Sequence, residues 1–256
     1  MFPAAPRLAL LLALAVVSAC APRPEKGAGS ASDAPAEAGY LTPPVILAAR
    51  AGPGGVALTG QAAPGARVRL ATPAGEARVV AADPEGRWTL TLPPVRAAAI
   101  YGLSMTLGAR QVQAQGYLLV TPAGQAAMLR SGAGAVRLDR PGGSGIGAFD
   151  FDRGGGAVIS GWAPARAVVL VRLDGNQAAE GRADEAGRFE VPLPPIGGGV
   201  HRLQIYGDGF QDEARVQTAA AAPLAGGPLR SQLSGSGLRA DWMTPGGGVQ
   251  STVLID

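Results

Sequence analysis

Few side chains in this sequence could carry chemistry, and they are scattered. His201 is the only histidine and Cys20 the only cysteine. A Ser/His/Asp triad would have to be built on His201, and no Cys/His metal cluster or disulfide framework can be assembled within one chain. There is no Gly-x-Ser-x-Gly elbow, and turns such as Thr59-Gly60 lack the lysine of a phosphate loop. The run Phe149-Asp150-Phe151-Asp152-Arg153-Gly154-Gly155 sets two acids before glycines. Calcium prefers such clustered oxygens, but the spacing and terminal Glu of a calcium loop are missing. Asp83 and Asp184 each stand three residues before a glycine, the signature of a capped type I turn rather than of a reactive carboxylate. Trp162 and Trp242 are the candidate ligand contacts, as platforms on which a sugar ring could stack. The expectation is a protein that is not an enzyme and uses no cofactor and no metal.

The elements that must position these residues come from a unit written twice. Shifting the chain by 101 positions aligns 58–95 with 159–196 without a gap, and twelve of the 38 positions are identical. Such self-similarity means a repeated structural unit. In each copy, short runs alternate apolar with polar residues, as in Val68 and Leu70 against Arg67 and Arg69, or Arg87-Trp88-Thr89-Leu90-Thr91-Leu92. That period marks half-buried strands, and turn signals recur every 8–12 residues. Trp88 and Phe189 alternate with polar neighbours and are read as core anchors. His201 falls where the first copy has Ile100 or Tyr101, a strand position. Trp162 follows Gly161 at the place where the first copy has Gln61, so the first copy offers no aromatic there.

Three motifs then point to a family. They are Gly60 with Ala63-Pro64-Gly65-Ala66-Arg67-Val68, Asp83-x-x-Gly86-Arg87-Trp88-Thr89-Leu90, and Leu92-Pro93. Together they resemble the bacterial Ig-like repeats of cell-envelope proteins, over roughly residues 44–120 and 146–218. In the second copy Pro164-Ala165-Arg166 replaces Ala63-Pro64-Gly65. The fold class this implies is all-β, two tandem Ig-like antiparallel β-sandwiches. The first spans 44–139 and includes an extra hairpin (Ala126 to Leu129, Ala135 to Leu138) that extends it or bridges to the second, at 146–218. A C-terminal β-hairpin at 229–256 (Gly237 to Met243, Val249 to Ile255) is expected to add to a neighbouring sheet, because a lone hairpin is marginal in water.

Residues 1–19 read as an export signal. Arg7 precedes the apolar core Leu8 to Val17, which is too short to span a bilayer stably. Val17-Ser18-Ala19-Cys20 resembles the bacterial lipobox, which implies lipidation at Cys20, removal of 1–19 and a membrane anchor. Several acyl chains make such anchoring stable where one would be marginal. Ala21 lacks the Asp that favours inner-membrane retention, so the expected location is the outer membrane, facing the periplasm or the surface. Residues 20–43, rich in Ala, Pro, Gly and Ser, read as a disordered tether.

A formal charge of +3 with arginines scattered among acids gives no basic stripe, and nucleic acid is not an expected partner. The sequence thus reads as a lipid-anchored envelope protein with a structural or protein-interaction role. A periplasmic module that binds glycan or peptidoglycan is the alternative. The expected partners are the membrane, through the anchor, and an envelope protein or glycan.

Overall fold

Alternation places the strands, and glycine sets how closely they approach. In Arg87–Leu92 the residues Trp88, Leu90 and Leu92 are buried while Arg87, Thr89 and Thr91 face solvent. Gly60 pairs with Trp88 and Gly161 with Phe189 across neighbouring strands. A side chain at Gly60 would run into the Trp88 ring and the Val45 carbonyl, and one at Gly161 into the Gly145 carbonyl and, at 2.9 Å, the Phe189 Cζ. The glycine shared by the two copies is therefore the seat of each core aromatic. Gly161→Ala should lower stability by about 1–3 kcal/mol by overpacking that seat, read as a shift of the urea midpoint.

The computed structural model describes residues 41–140 and 143–256. Cys20, the export signal and the tether up to residue 40 lie outside the described residues. Those described are all-β, with no helix and four antiparallel sheets. The first copy supplies β1 (Val45–Gly52), β2 (Gly55–Gln61), β3 (Arg67–Ala71), β4 (Ala77–Ala81), β5 (Arg87–Leu92), β6 (Ala99–Leu107) and β7 (Arg110–Val120). Next come β8 (Ala126–Leu129) and β9 (Val136–Arg137). The second copy repeats the series as β10 (Gly145–Asp152), β11 (Ala157–Trp162), β12 (Val168–Leu173), β13 (Asn176–Arg182), β14 (Arg188–Leu193), β15 (Gly199–Gly207) and β16 (Phe210–Thr218). The tail forms β17 (Leu229–Ser234), β18 (Gly237–Met243) and β19 (Val249–Ile255).

The sheets run β1-β2-β5, then β4-β3-β6-β7-β8-β9, then β14-β11-β10-β19-β18-β17, and β13-β12-β15-β16. Leu58, Trp88, Val68, Leu103 and Met105 fill the space between the first and second sheets. Phe149, Ile159, Phe189, Val171 and Leu203 do the same between the third and fourth. The tail thus holds three strands, one more than the expected two-stranded hairpin. Its strand β19 pairs with β10, Ala148 opposite Leu254 and Asp152 opposite Gln250.

A third core lies between the second and third sheets. Ile100, Leu119, Ala127 and Leu129 meet Ala148, Ala240, Trp242 and Leu254 there. Strands in these two sheets are apolar on both faces. Leu118 and Val120 point into the first core while Leu119 points into the third; Phe149 and Phe151 point into the second while Ala148 points into the third. The consequence is that Leu41–Asp256 is one compact unit, a stack of four sheets rather than two bodies on a linker.

Candidate functional site

The third core carries a polar centre. Asp150 is 2 % exposed, and its carboxylate accepts three hydrogen bonds: from the Thr252 hydroxyl (2.5 Å), the Gln250 amide (3.2 Å) and the Ala135 backbone N–H (2.7 Å). Thr252 in turn accepts from the Trp242 indole N–H at 3.1 Å. Ala135 belongs to the β8–β9 connection and Asp150 to β10, so this carboxylate ties the extension of the first copy to the second. Burial is the main cause that pushes its carboxyl up to about 6; the hydrogen bonds from Thr252, Ala135 and Gln250 pull the other way. Asp152 turns outward and accepts the backbone N–H groups of Gly154 and Gly156. The two acids of that run therefore do not converge. Among the described residues no group of three His, Cys, Asp or Glu side chains could hold a metal ion.

Trp242 is fully buried in this core, with its ring edge-on to Tyr117 at 6.0 Å between centroids. The expectation of a ligand contact there is corrected: β18 lies inside the sheet stack, and its apolar face is consumed by packing. Trp162 is placed differently. It ends β11, half-buried, and forms one wall of a slot of about 360 Å³. Its ring lies over Gly147, where a Cβ would come within 2.8 Å of it. The slot exists because the β8–β9 connection covers only part of the third sheet. Ser160 donates to the Ala135 carbonyl (2.6 Å), Gly134 N–H donates to Glu190 (3.0 Å), and Arg130 pairs with Glu190. Beyond those contacts the sheet face stays open around Trp162, Arg182, Asp184 and Arg188, with buried Arg137 at its floor.

His201, the one residue on which a triad could rest, has both ring nitrogens occupied. Nδ1 meets the Asp174 carboxylate at 2.8 Å and Nε2 meets the Gly197 carbonyl at 3.1 Å. Asp174 also accepts from the Arg202 backbone N–H, so the group fastens the β12–β13 turn to β15. The Asp174 hydrogen bond raises the His201 pKa above its ordinary 6.5, against some desolvation. A raised value means this contact stabilises the fold fully below pH 6.5 and is lost as pH climbs through the folded-state pKa. His201→Gln should therefore be most destabilising relative to wild type in mildly acidic buffer, with the gap closing at alkaline pH in thermal melts.

The two turn acids act alike. Asp83 accepts the backbone N–H groups of Glu85 and Arg87 (3.0 and 2.7 Å), and Asp184 those of Ala186 and Arg188 (2.9 and 2.8 Å). Gly86 and Gly187 complete the turns at φ of 81° and 80°, a conformation in which glycine alone is unstrained.

Comparison with family models and with curated proteins finds no match. Among solved structures, one described as "Biofilm associated protein - BSP domain" matches with a TM-score of 0.25 and 11% identity. That match takes in 70% of this chain and 30% of the other.

Proposed function

We propose that this protein is a lipid-anchored envelope module, built on two Ig-like sandwiches, with a structural or protein-interaction role and no catalytic activity. The observation that carries this reading is the third core. Copies joined by a short linker would move independently, whereas an apolar interface of Leu119, Leu129, Trp242 and Leu254 fixes one against the other. A fixed block presents surfaces in constant relation, which suits docking and bracing. The engagement of His201 in a turn supports a non-catalytic role. In this reading acylation at Cys20 holds the block at the outer membrane. Crosslinking in cells followed by mass spectrometry should recover a reproducible envelope partner, and Cys20→Ser should abolish membrane fractionation. Recovery of no partner with the anchored form would reduce the protein to a spacer.

A second reading, glycan binding, is favoured by one residue. Trp162 is half-buried at an open slot in the second copy, at the position where the first copy has Gln61, whose amide merely donates to the Glu85 carbonyl. Cosedimentation with sacculi and soluble glycans, against Trp162→Ala, tests it.

A further inference from the structure

We propose that the Trp162 slot binds a carboxylated sugar chain, one ring stacking on the indole while its carboxylate is held by Arg182 and Arg188. The inference rests on the glycan-binding reading and adds the charge of the ligand to it.

The second copy departs from the first at one place on the shared scaffold. Position 61 carries Gln and its equivalent carries Trp162; position 81 carries Ala and its equivalent carries Arg182. In the first copy Arg87 is tied by ion pairs to both Asp83 and Glu85. In the second, Ala186 stands in the place of Glu85, and the Arg188 side chain no longer pairs with the turn acid. Asp184 accepts the two turn amides as Asp83 does, but it makes no ion pair with its arginine. Gly147, the bulged residue of β10, leaves space for the indole to lie flat. These changes together assemble a flat aromatic face beside cations that the first copy lacks.

The charges at the slot are not equal. Arg130 is paired with Glu190, and Arg137 donates to both oxygens of Asp139 and to the Ile255 carbonyl. Arg182 and Arg188 have no acidic partner among the described residues. Arg182 donates to the Arg166 carbonyl at 2.7 Å, and Arg188 reaches the Leu47 carbonyl only at 3.4 Å. A carboxylate is a stronger acceptor than either carbonyl and accepts from a guanidinium in two-point fashion. Trp162 also borders a second hollow of about 570 Å³, lined by Asp139, Asp212 and Asp256 as well as Arg140, Ser144 and Gln211. A ligand longer than one ring can continue past the indole there, and the three acids oppose a second carboxylate in that hollow, so the ring whose carboxylate is bound is the one on the indole.

The test is titration of the full chain in detergent with hexagalacturonate, with its methyl ester, and with soluble peptidoglycan fragments, followed by tryptophan fluorescence. Trp88 and Trp242 are buried, so a ligand-dependent change reports Trp162 and should vanish in Trp162→Phe. The expected result is binding of hexagalacturonate or of the peptidoglycan fragments, each arm naming its source of the carboxylate. Esterification should weaken uronate binding at least ten-fold, and Arg182→Gln with Arg188→Gln should weaken either ligand similarly while the melting temperature holds. Equal binding of ester and acid, or an unaffected double variant, overturns the charge inference and leaves glycan binding standing. No binding of any of the three overturns both.

Discussion

Trp242→Ala should lower the unfolding free energy by about 3–5 kcal/mol, the range for removing a fully buried aromatic. The indole sits at the middle of the third core, edge-on to Tyr117 and among Leu119, Leu129 and Leu254. Its N–H has a partner in Thr252, so truncation removes a hydrogen bond as well as apolar contact. The surrounding strands are held by pairing on both sides, β18 between β17 and β19, and cannot collapse into the space. Because this core joins the copies, the loss should also change cooperativity. Wild type should unfold in urea as one transition by fluorescence and circular dichroism alike, and Trp242→Ala should broaden or split it as the copies melt separately. Trp162→Ala, half-buried at the slot, serves as the control and should shift the midpoint far less. A Trp242→Ala midpoint within error of wild type would refute the third core as the joint of the molecule.

The repeat is legible in the sequence because its markers are local. Asp83 and Asp184 cap turns through amides two and four residues on, and Gly60 and Gly161 answer to aromatics at a fixed spacing. Alternation in Arg87–Leu92 marks its strand for the same reason. The tail strand Leu229–Ser234 carries no such mark because it is an edge strand with no fully buried residue, and a side only partly covered requires little alternation of it. The third core is hidden for a different reason, although a signal is present. Tyr117-Leu118-Leu119-Val120 and Ala126-Ala127-Met128-Leu129 are unbroken apolar runs, which mark strands covered on both faces. An extra hairpin on the first sandwich accounts for one buried face, and these strands bury two. Trp162 stands out because its counterpart is Gln61, whereas Arg182 and Arg188 do not. Arg182 turns to the Arg166 carbonyl and Arg188 to the distant Leu47 carbonyl rather than to acids, a fact of tertiary structure. Asp150 and Asp152 lie two apart on one face of β10, and only the packing of the β8–β9 connection shows that Asp150 is covered while Asp152, at the strand end, is left to cap Gly154 and Gly156.

Asp150 should make the stability of the protein fall as pH rises from about 4 to about 6. Its carboxyl sits near 6 in the fold against 3.8 unfolded, so across that window the native state holds a proton that the unfolded chain has released. Stability declines with pH wherever the native state binds more protons, and a pKa raised by about two corresponds to about 3 kcal/mol. Above the window the ionised carboxylate stays buried, held by Thr252, Gln250 and the Ala135 N–H, and the joint is at its weakest there. Asp150→Asn removes the titration and places an amide N–H₂ among three donors, which costs stability at every pH. Its penalty relative to wild type should be largest near pH 4 and smaller by about 3 kcal/mol at pH 7. Asp150→Ala leaves the Ala135 N–H and the Thr252 hydroxyl without this acceptor, at about 1–3 kcal/mol for each buried group left unsatisfied, while the Gln250 amide keeps the Arg130 and Ala133 carbonyls. Urea titrations of the three proteins at half-unit steps from about pH 4 to 7.5 read both effects. Parallel pH profiles for wild type and Asp150→Asn would mean that the carboxylate is already ionised in mild acid, with the hydrogen bonds outweighing burial.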